Sequence, residues 1–117
     1  MKGTPMLLLF KVADVRRLIK LTREAKGYTK SYGVDDKGRC LIIVKDEGAY
    51  IMSNGNPRPK DDVVYADGYG PDCEHIGGDD FADSVPLRIW EGVIKGVRGT
   101  KTLKIKLDEK EIGFEII

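Results

Sequence analysis

Apolar positions along the chain fall into short runs whose spacing predicts both strands and helices. Residues 6–12 form a nearly continuous apolar run typical of a buried strand, and residues 14–26 repeat apolar positions at helical intervals. Asp14 suits the start of this helix, as a cap or as a partner of the helix dipole, and Gly27 suits its end in a left-handed conformation. The first part of the chain therefore predicts a strand that leads into a helix.

The middle of the chain predicts an antiparallel meander. Apolar runs at residues 40–44 and 49–52 are separated by an acidic turn that ends in Gly48, a glycine that can take a positive φ in a hairpin. Residues 54–57 break the chain again, because glycine favours a turn and proline cannot donate to a central ladder. Residues 63–66 then supply a third strand.

The end of the chain predicts a hairpin, preceded by a segment with conflicting signals. Residues 103–107 and 112–116 alternate apolar and polar positions, so that lysines on one strand oppose glutamates on the other. In residues 84–97 the apolar positions fit one helical face and Pro86 is tolerated in the first turn, but Gly92 weakens a helix. Helix is favoured there, and strand stays open.

These elements predict one α+β domain over residues 1–117. An antiparallel sheet, built from the meander and the C-terminal hairpin, carries the N-terminal helix on one face, with a second helix if 84–97 is helical. Residues 28–38 and 67–78 are glycine-punctuated and predict loops. The residues expected in the core are Leu8, Phe10, Val15, Leu18, Ile19, Ile42, Val44, Ile51, Val64, Trp90, Leu103, Ile105 and Phe114.

Three blocks at residues 48–55, 63–66 and 77–81, together with the opening strand-to-helix stretch at 9–18, look familiar as a set. They resemble a family of small bacterial domains of unknown function, found mostly in bacterial and plasmid-borne contexts. The resemblance spans residues 7–82 and does not reach 87–117. It implies a bacterial or mobile-element origin, and it transfers no catalytic residue because none is established for that family.

Charge and composition narrow the functional classes only slightly. Twenty Lys and Arg against nineteen Asp and Glu give a net charge of +1, so no global field favours nucleic acid or an anionic membrane. The apolar run at 6–10 is too short for a membrane span or a secretory signal. We therefore expect a cytoplasmic protein that does not contact a membrane, with Cys40 and Cys73 as free thiols.

An acidic segment over residues 72–83 is the densest polar cluster in the sequence. It predicts a surface that contacts a protein partner by charge complementarity. Its carboxylates also suggest an Mg²⁺ or Ca²⁺ site for a metal-assisted enzyme, but their spacing differs from an EF-hand, and Cys73 with His75 is too few ligands for zinc. No metal or cofactor is predicted. The partner-contacting residues are predicted to be Asp72, Glu74, Asp79, Asp80 and Asp83.

The helix over residues 14–26 presents a row of cations that suggests an alternative function. Lysines and arginines along one helix can neutralise phosphates, so a nucleic-acid interface stays open. The ordinary interpretation is a solvated helix face. The residues in question are Arg16, Arg17, Lys20 and Arg23.

The tripeptide Ser53-Asn54-Gly55 follows an apolar strand, near Tyr50 and Tyr65 on neighbouring strands. It is interpreted as a turn at the exit of a hairpin. Its polar side chains also sit where they could rim a groove beside a proline-bounded loop.

No complete catalytic set can be assembled, which favours a non-enzymatic role. The sequence therefore predicts a protein-binding module whose partner it does not identify, and for a mobile-element protein one form of this is an inhibitor of a host defence complex. The alternatives are a metal-assisted enzyme using residues 72–83 and a nucleic-acid binder using the helix.

Overall fold

Two four-stranded antiparallel sheets and two helices form the parts of the chain that a computed structural model describes, namely residues 6–30, 38–44, 49–69, 82–107 and 111–117. A short pair of two-residue strands adds a third, minor sheet. The elements are β1 (Met6–Lys11), α1 (Val12–Glu24), β2 (Gly27–Tyr28), β3 (Cys40–Val44), β4 (Tyr50–Ser53), β5 (Gly55–Asn56), β6 (Val63–Tyr65), β7 (Gly68–Tyr69), β8 (Ala82–Pro86), α2 (Leu87–Ile94), β9 (Thr102–Leu107) and β10 (Ile112–Ile116).

The first sheet has the order β10-β9-β1-β7 and contains the predicted C-terminal hairpin. Leu8 and Phe10 stand opposite Ile105 and Leu103, and all four are buried, so the strict alternation seen in the sequence is the inward face of this sheet. On the outer face Lys104 pairs with Glu115 at 2.9 Å, as the lysine-against-glutamate pattern predicts.

The second sheet has the order β6-β4-β3-β8 and contains the predicted meander. Every residue of β3 is buried, and its alternate residues belong to two different apolar clusters. Leu41 and Ile43 join the main core, whereas Cys40, Ile42 and Val44 form a second cluster with the half-buried Tyr50 and Met52. The α+β class is confirmed, but the single sheet expected from the meander and the C-terminal hairpin is replaced by two sheets, because β1 pairs with β9 of the hairpin whereas β8 pairs with β3 of the meander.

Helix α1 packs on both sheets and forms the centre of the core. Its buried face is Val12, Val15, Leu18, Ile19 and Thr22. The other residues predicted for the core are also buried, apart from the half-buried Phe114.

The ends of α1 differ from the sequence prediction. Its first amides, on Val12 and Ala13, donate to the carbonyls of Lys101 and Gly99 at 3.0 and 3.2 Å, so backbone groups cap the helix while Asp14 lies in its first turn. The expected left-handed Gly27 is wrong: Ala25 is already extended, at φ −65° and ψ 150°. Gly27 instead pairs with Asn56 between β2 and β5, which occupies part of the predicted loop at 28–38.

The ambiguous segment contains both a strand and a helix. Strand β8 pairs with β3, and α2 begins directly after Pro86. Trp90 fixes the junction, because its buried indole Nε1 donates to the carbonyl of Val85 at 2.9 Å. Gly96, with φ +72°, follows the end of α2.

Two further expectations fall partly outside the described residues. Gly68 and Tyr69, predicted as loop, form β7 against β1, and residues 70–78 of that loop are not described. Cys40 is a buried thiol that forms no disulfide, whereas Cys73 lies outside the described residues. None of the helices described here is both long and apolar enough to span a membrane.

Candidate binding groove

A small groove opens at the end of β4, where the chain turns into β5. Its volume is about 160 Å³, well below the 300–1,000 Å³ typical of pockets that hold whole small molecules. It is therefore of a size to receive one side chain of a larger partner. Its lining residues are Thr29, Lys30, Ile42, Met52, Ser53, Asn54, Gly55 and Arg58.

Asn54 holds three segments of the groove together. Its Oδ1 accepts a hydrogen bond from the Cys40 amide at 2.9 Å, and its Nδ2 donates to the carbonyls of Thr29 and Gly38 at 3.0 and 2.9 Å. Its own carbonyl accepts from the amide of Thr29 at 2.8 Å. The buried Asn54 amide group is thereby committed to the fold, and it fixes where Thr29 and Lys30 stand.

Ser53 is likewise committed to internal hydrogen bonds. Its buried hydroxyl accepts from the Gly55 amide at 3.0 Å and is hydrogen-bonded to the hydroxyl of Thr22. Thr22 itself donates to the Leu18 carbonyl at 2.7 Å, so Ser53 must supply the proton of the bond between the two hydroxyls. This chain of hydrogen bonds anchors the floor of the groove to helix α1.

Gly55 is required by close packing rather than by turn geometry. A Cβ on this residue would lie 2.8 Å from the Cβ of Ala25 and 3.2 Å from Ser53 Oγ. Its φ is not positive, so the expectation that it supplies a turn is replaced by a steric reason. Strand β5 can therefore run close against the end of α1 and form the wall of the groove.

The groove combines an apolar base with a cationic rim. Ile42 and Met52 stand opposite each other on β3 and β4 and provide the apolar part. Lys30 is exposed, and the Arg58 side chain is 64% exposed while its Nε donates to the buried Asp62 carboxylate at 2.7 Å. The exposed ammonium of Lys30 therefore stands beside an apolar surface, with the ion pair of Arg58 and Asp62 at the same opening.

The predicted acidic interface lies almost entirely outside the described residues. This applies to Asp72, Glu74, Asp79 and Asp80, and also to Cys73 and His75. Asp83 is described: it is half-buried on β8, opposite Ile43. Within the described ranges, no three His, Cys, Asp or Glu side chains come together as metal ligands.

The arginines of helix α1 contact the rest of the protein. Arg16 Nη2 donates to the carbonyls of Ile94 and Val97 at 3.2 and 2.6 Å, at the C-terminal end of α2. A cation at that position also offsets the negative end of the helix dipole.

The other three residues of the predicted nucleic-acid interface point to different surroundings. Arg17 Nη1 donates to the Asp61 carbonyl at 2.8 Å, Arg23 pairs with Glu91, and Lys20 is exposed. Arg16 and Arg23 therefore lie on the side of α1 that faces α2, and Arg17 lies on the side that faces the loop before β6. All three arginines have partners within the protein.

The sequence pattern did not place Lys30 or Arg58 at this groove. They lie 28 positions apart in loops, and nothing in the sequence indicates that the Asn54 hydrogen bonds bring their segments together. The Ser53-Asn54-Gly55 signal did point here. Tyr50 and Tyr65, also noted there, are in contact with ring centroids 5.3 Å apart, and Tyr65 is 62% exposed.

Residues 39–115 match a family model described as a protein of unknown function, DUF3085. The chain belongs to this family. The match extends well beyond residue 82, where the sequence resemblance ended, and it does not include the strand-to-helix start at 9–18. Most of the groove, from Ile42 to Arg58, lies inside the family match, whereas Thr29 and Lys30 lie before it. No curated protein and no solved structure matches the chain.

Proposed function

We propose that this protein is a protein-binding module, and that its groove anchors one side chain from a short segment of the partner. The observation that carries the proposal is the groove itself: a volume of about 160 Å³, with an apolar base at Ile42 and Met52 and cations at its rim. Protein interfaces commonly concentrate their affinity in such pockets, which take a buried anchor surrounded by polar contacts.

The chemistry of the groove specifies the segment that fits. An aliphatic or aromatic side chain would contact Ile42 and Met52, and a neighbouring carboxylate would stand near Lys30 and Arg58. Because Ser53 and Asn54 already use their side chains in internal hydrogen bonds, they shape the opening rather than react in it. We therefore propose an apolar-acidic sequence in the partner.

The acidic segment remains part of the proposal as a second contact. Asp72, Glu74, Asp79, Asp80 and Asp83 would face a basic surface of the partner, as the charge pattern predicts. The main-chain hydrogen bonds of Arg16 and Arg17 support this choice over nucleic acid, since those side chains would have to leave their partners to bind phosphates. A more specific form of the proposal is a bacterial or mobile-element inhibitor of a host defence complex, acting in the cytoplasm.

A displayed library of random peptides tests the proposal with a defined probe. The immobilised protein is expected to enrich peptides with an apolar residue beside an acidic one. Lys30→Glu should abolish that enrichment, whereas Lys26→Glu, the same charge change at an exposed residue outside the groove, should leave it intact.

Other outcomes of the same selection distinguish the remaining interpretations. Enrichment of basic peptides that disappears in the double variant Asp79→Lys with Asp80→Lys would place the contact on the acidic segment alone. No enrichment, combined with salt-sensitive binding of a labelled duplex that Arg16→Glu with Lys20→Glu removes, would favour the nucleic-acid alternative.

A further inference from the structure

Strand β10 differs from the other three strands that border the two four-stranded sheets. Strand β7 has two residues and β6 has three, while β8 carries Asp83 and ends in Pro86. Short length, charge and proline are the features that normally prevent an edge from pairing with another chain. Strand β10 has five residues, no proline and no charged side chain on its inward face.

The hydrogen-bond pattern of β10 leaves alternate backbone groups directed outward. Thr102 and Ile117 exchange both of their backbone hydrogen bonds, at 3.3 and 2.9 Å. Because such pairs alternate along an antiparallel ladder, the amides and carbonyls of Ile112, Phe114 and Ile116 point away from β9. No strand in the described part of the chain lies on that side.

We propose that two copies of this chain associate through β10, as an antiparallel pair centred on Phe114. In this register Phe114 faces Phe114 of the second copy, Ile112 faces Ile116, and Gly113 faces Glu115. It is the register that pairs all five residues of the strand, and it joins the outward-directed amides and carbonyls of both copies. The sheet β10-β9-β1-β7 of one copy then joins the same sheet of the second copy to form one sheet of eight strands.

Side-chain chemistry is compatible with this register on both faces. Ile112, Phe114 and Ile116 are half-buried against the main core, and Phe114 makes an edge contact with Trp90 at 5.3 Å between ring centroids. Pairing extends this apolar layer from one copy to the other. On the outer face Glu115 meets a glycine of the second copy rather than another carboxylate, so no like charges face each other.

Gly113 provides a matched pair of variants that test the register. A Cβ at this residue would lie 3.7 Å from the Lys106 Cβ, an ordinary contact, so a side chain fits within one copy. Gly113→Glu places a carboxylate opposite Glu115 of the second copy and should raise the dimer Kd by about threefold to tenfold. Gly113→Lys places an ammonium there and should lower it.

Within one copy the same variants should act in the opposite direction. Residue 113 stands opposite Lys106 on β9, so Glu attracts it and Lys repels it. In dilute protein the melting temperature should therefore be higher for Gly113→Glu than for Gly113→Lys, whereas the dimer should be tighter for Gly113→Lys. A variant that simply folds less well would have both a lower melting temperature and a weaker dimer.

Sedimentation over a concentration series measures the association. The wild-type mass is expected to rise from 13.0 kDa toward twice that value. A mass of 13.0 kDa at every concentration would overturn the proposal, and so would a dimer whose Kd is the same in both Gly113 variants, since that dimer uses another surface.

Discussion

Helix α1 and the groove beside β4 both combine cations with apolar residues, yet the structure uses them differently. The helix arginines donate to main-chain carbonyls or pair with Glu91, and they join α1 to α2 and to the loop before β6. At the groove the uncharged polar residues are committed internally and Arg58 is paired with Asp62, while Lys30 stands exposed at the opening and the Arg58 side chain remains 64% exposed. A row of like charges on a helix is thus weaker evidence for a binding site than two cations that separate loops bring to one cavity.

The largest stability effect is expected at Asn54, because its side chain joins the segments that form the groove. Asn54→Ala removes three side-chain hydrogen bonds and leaves the Cys40 amide and two carbonyls without that partner. The free energy of unfolding should fall by about 2–4 kcal/mol, measured in urea. Thr29→Ala, at an exposed side chain of the same groove, is the control and should change it little. Equal losses in both variants would contradict this role for Asn54.

Two glycines test the close packing of β5 against the end of α1. Gly55→Ala should cost about 1–3 kcal/mol, because its Cβ meets the Ala25 Cβ at 2.8 Å. Gly92→Ala introduces the same group inside α2, where the added Cβ would meet nothing within 4 Å beyond the neighbouring backbone of its own helix, and should stabilise the protein by up to about 1 kcal/mol. If alanine at residue 55 were neutral, the wall of the groove would have to be less tightly packed than described.

Arg16 tests the structural role of the helix cations. Arg16→Gln loses the hydrogen bonds to Ile94 and Val97 and the charge at the end of α2, so stability should fall by about 1 kcal/mol in thermal or chemical unfolding. The control is Lys20→Gln, at an exposed residue of the same helix. Its free energy of unfolding should differ from wild type by no more than about 0.5 kcal/mol. A larger loss of stability in Lys20→Gln than in Arg16→Gln would indicate that Arg16 is solvated rather than bound to α2, and would favour the nucleic-acid interface.

The smallest effect is expected for the ion pair of Arg23 and Glu91. Both side chains are about half exposed, at 56% and 41%, and water screens such pairs. A double-mutant cycle with Arg23→Ala and Glu91→Ala should give a coupling energy of about 0.2–1 kcal/mol that decreases with added salt. A coupling energy that salt does not change would contradict this assignment.

Local patterns in the sequence predict much of the fold and only part of the groove. The alternation over residues 103–116 and the helical spacing of Val15, Leu18 and Ile19 follow from burial of one face, which the sequence records directly. The end of α1, by contrast, depends on pairing between β2 and β5, which are far apart in the chain.

The same distinction explains which site residues were found. Ser53-Asn54-Gly55 is visible because polar residues follow an apolar strand, but the contribution of Lys30 and Arg58 depends on long-range hydrogen bonds through Asn54. The internal partners of Arg16 and Arg17 are carbonyls of distant segments, and a carbonyl carries no side-chain signal.

Amide chemical shifts of the isotope-labelled protein, recorded while a selected apolar-acidic peptide is added, show whether the groove is the surface that binds the peptide. Saturable shifts are expected at Thr29, Lys30, Gly55 and Arg58, with the amides of Arg16 to Arg23 on α1 nearly unchanged. Shifts concentrated on α1, with the groove amides unmoved, would contradict the proposed function.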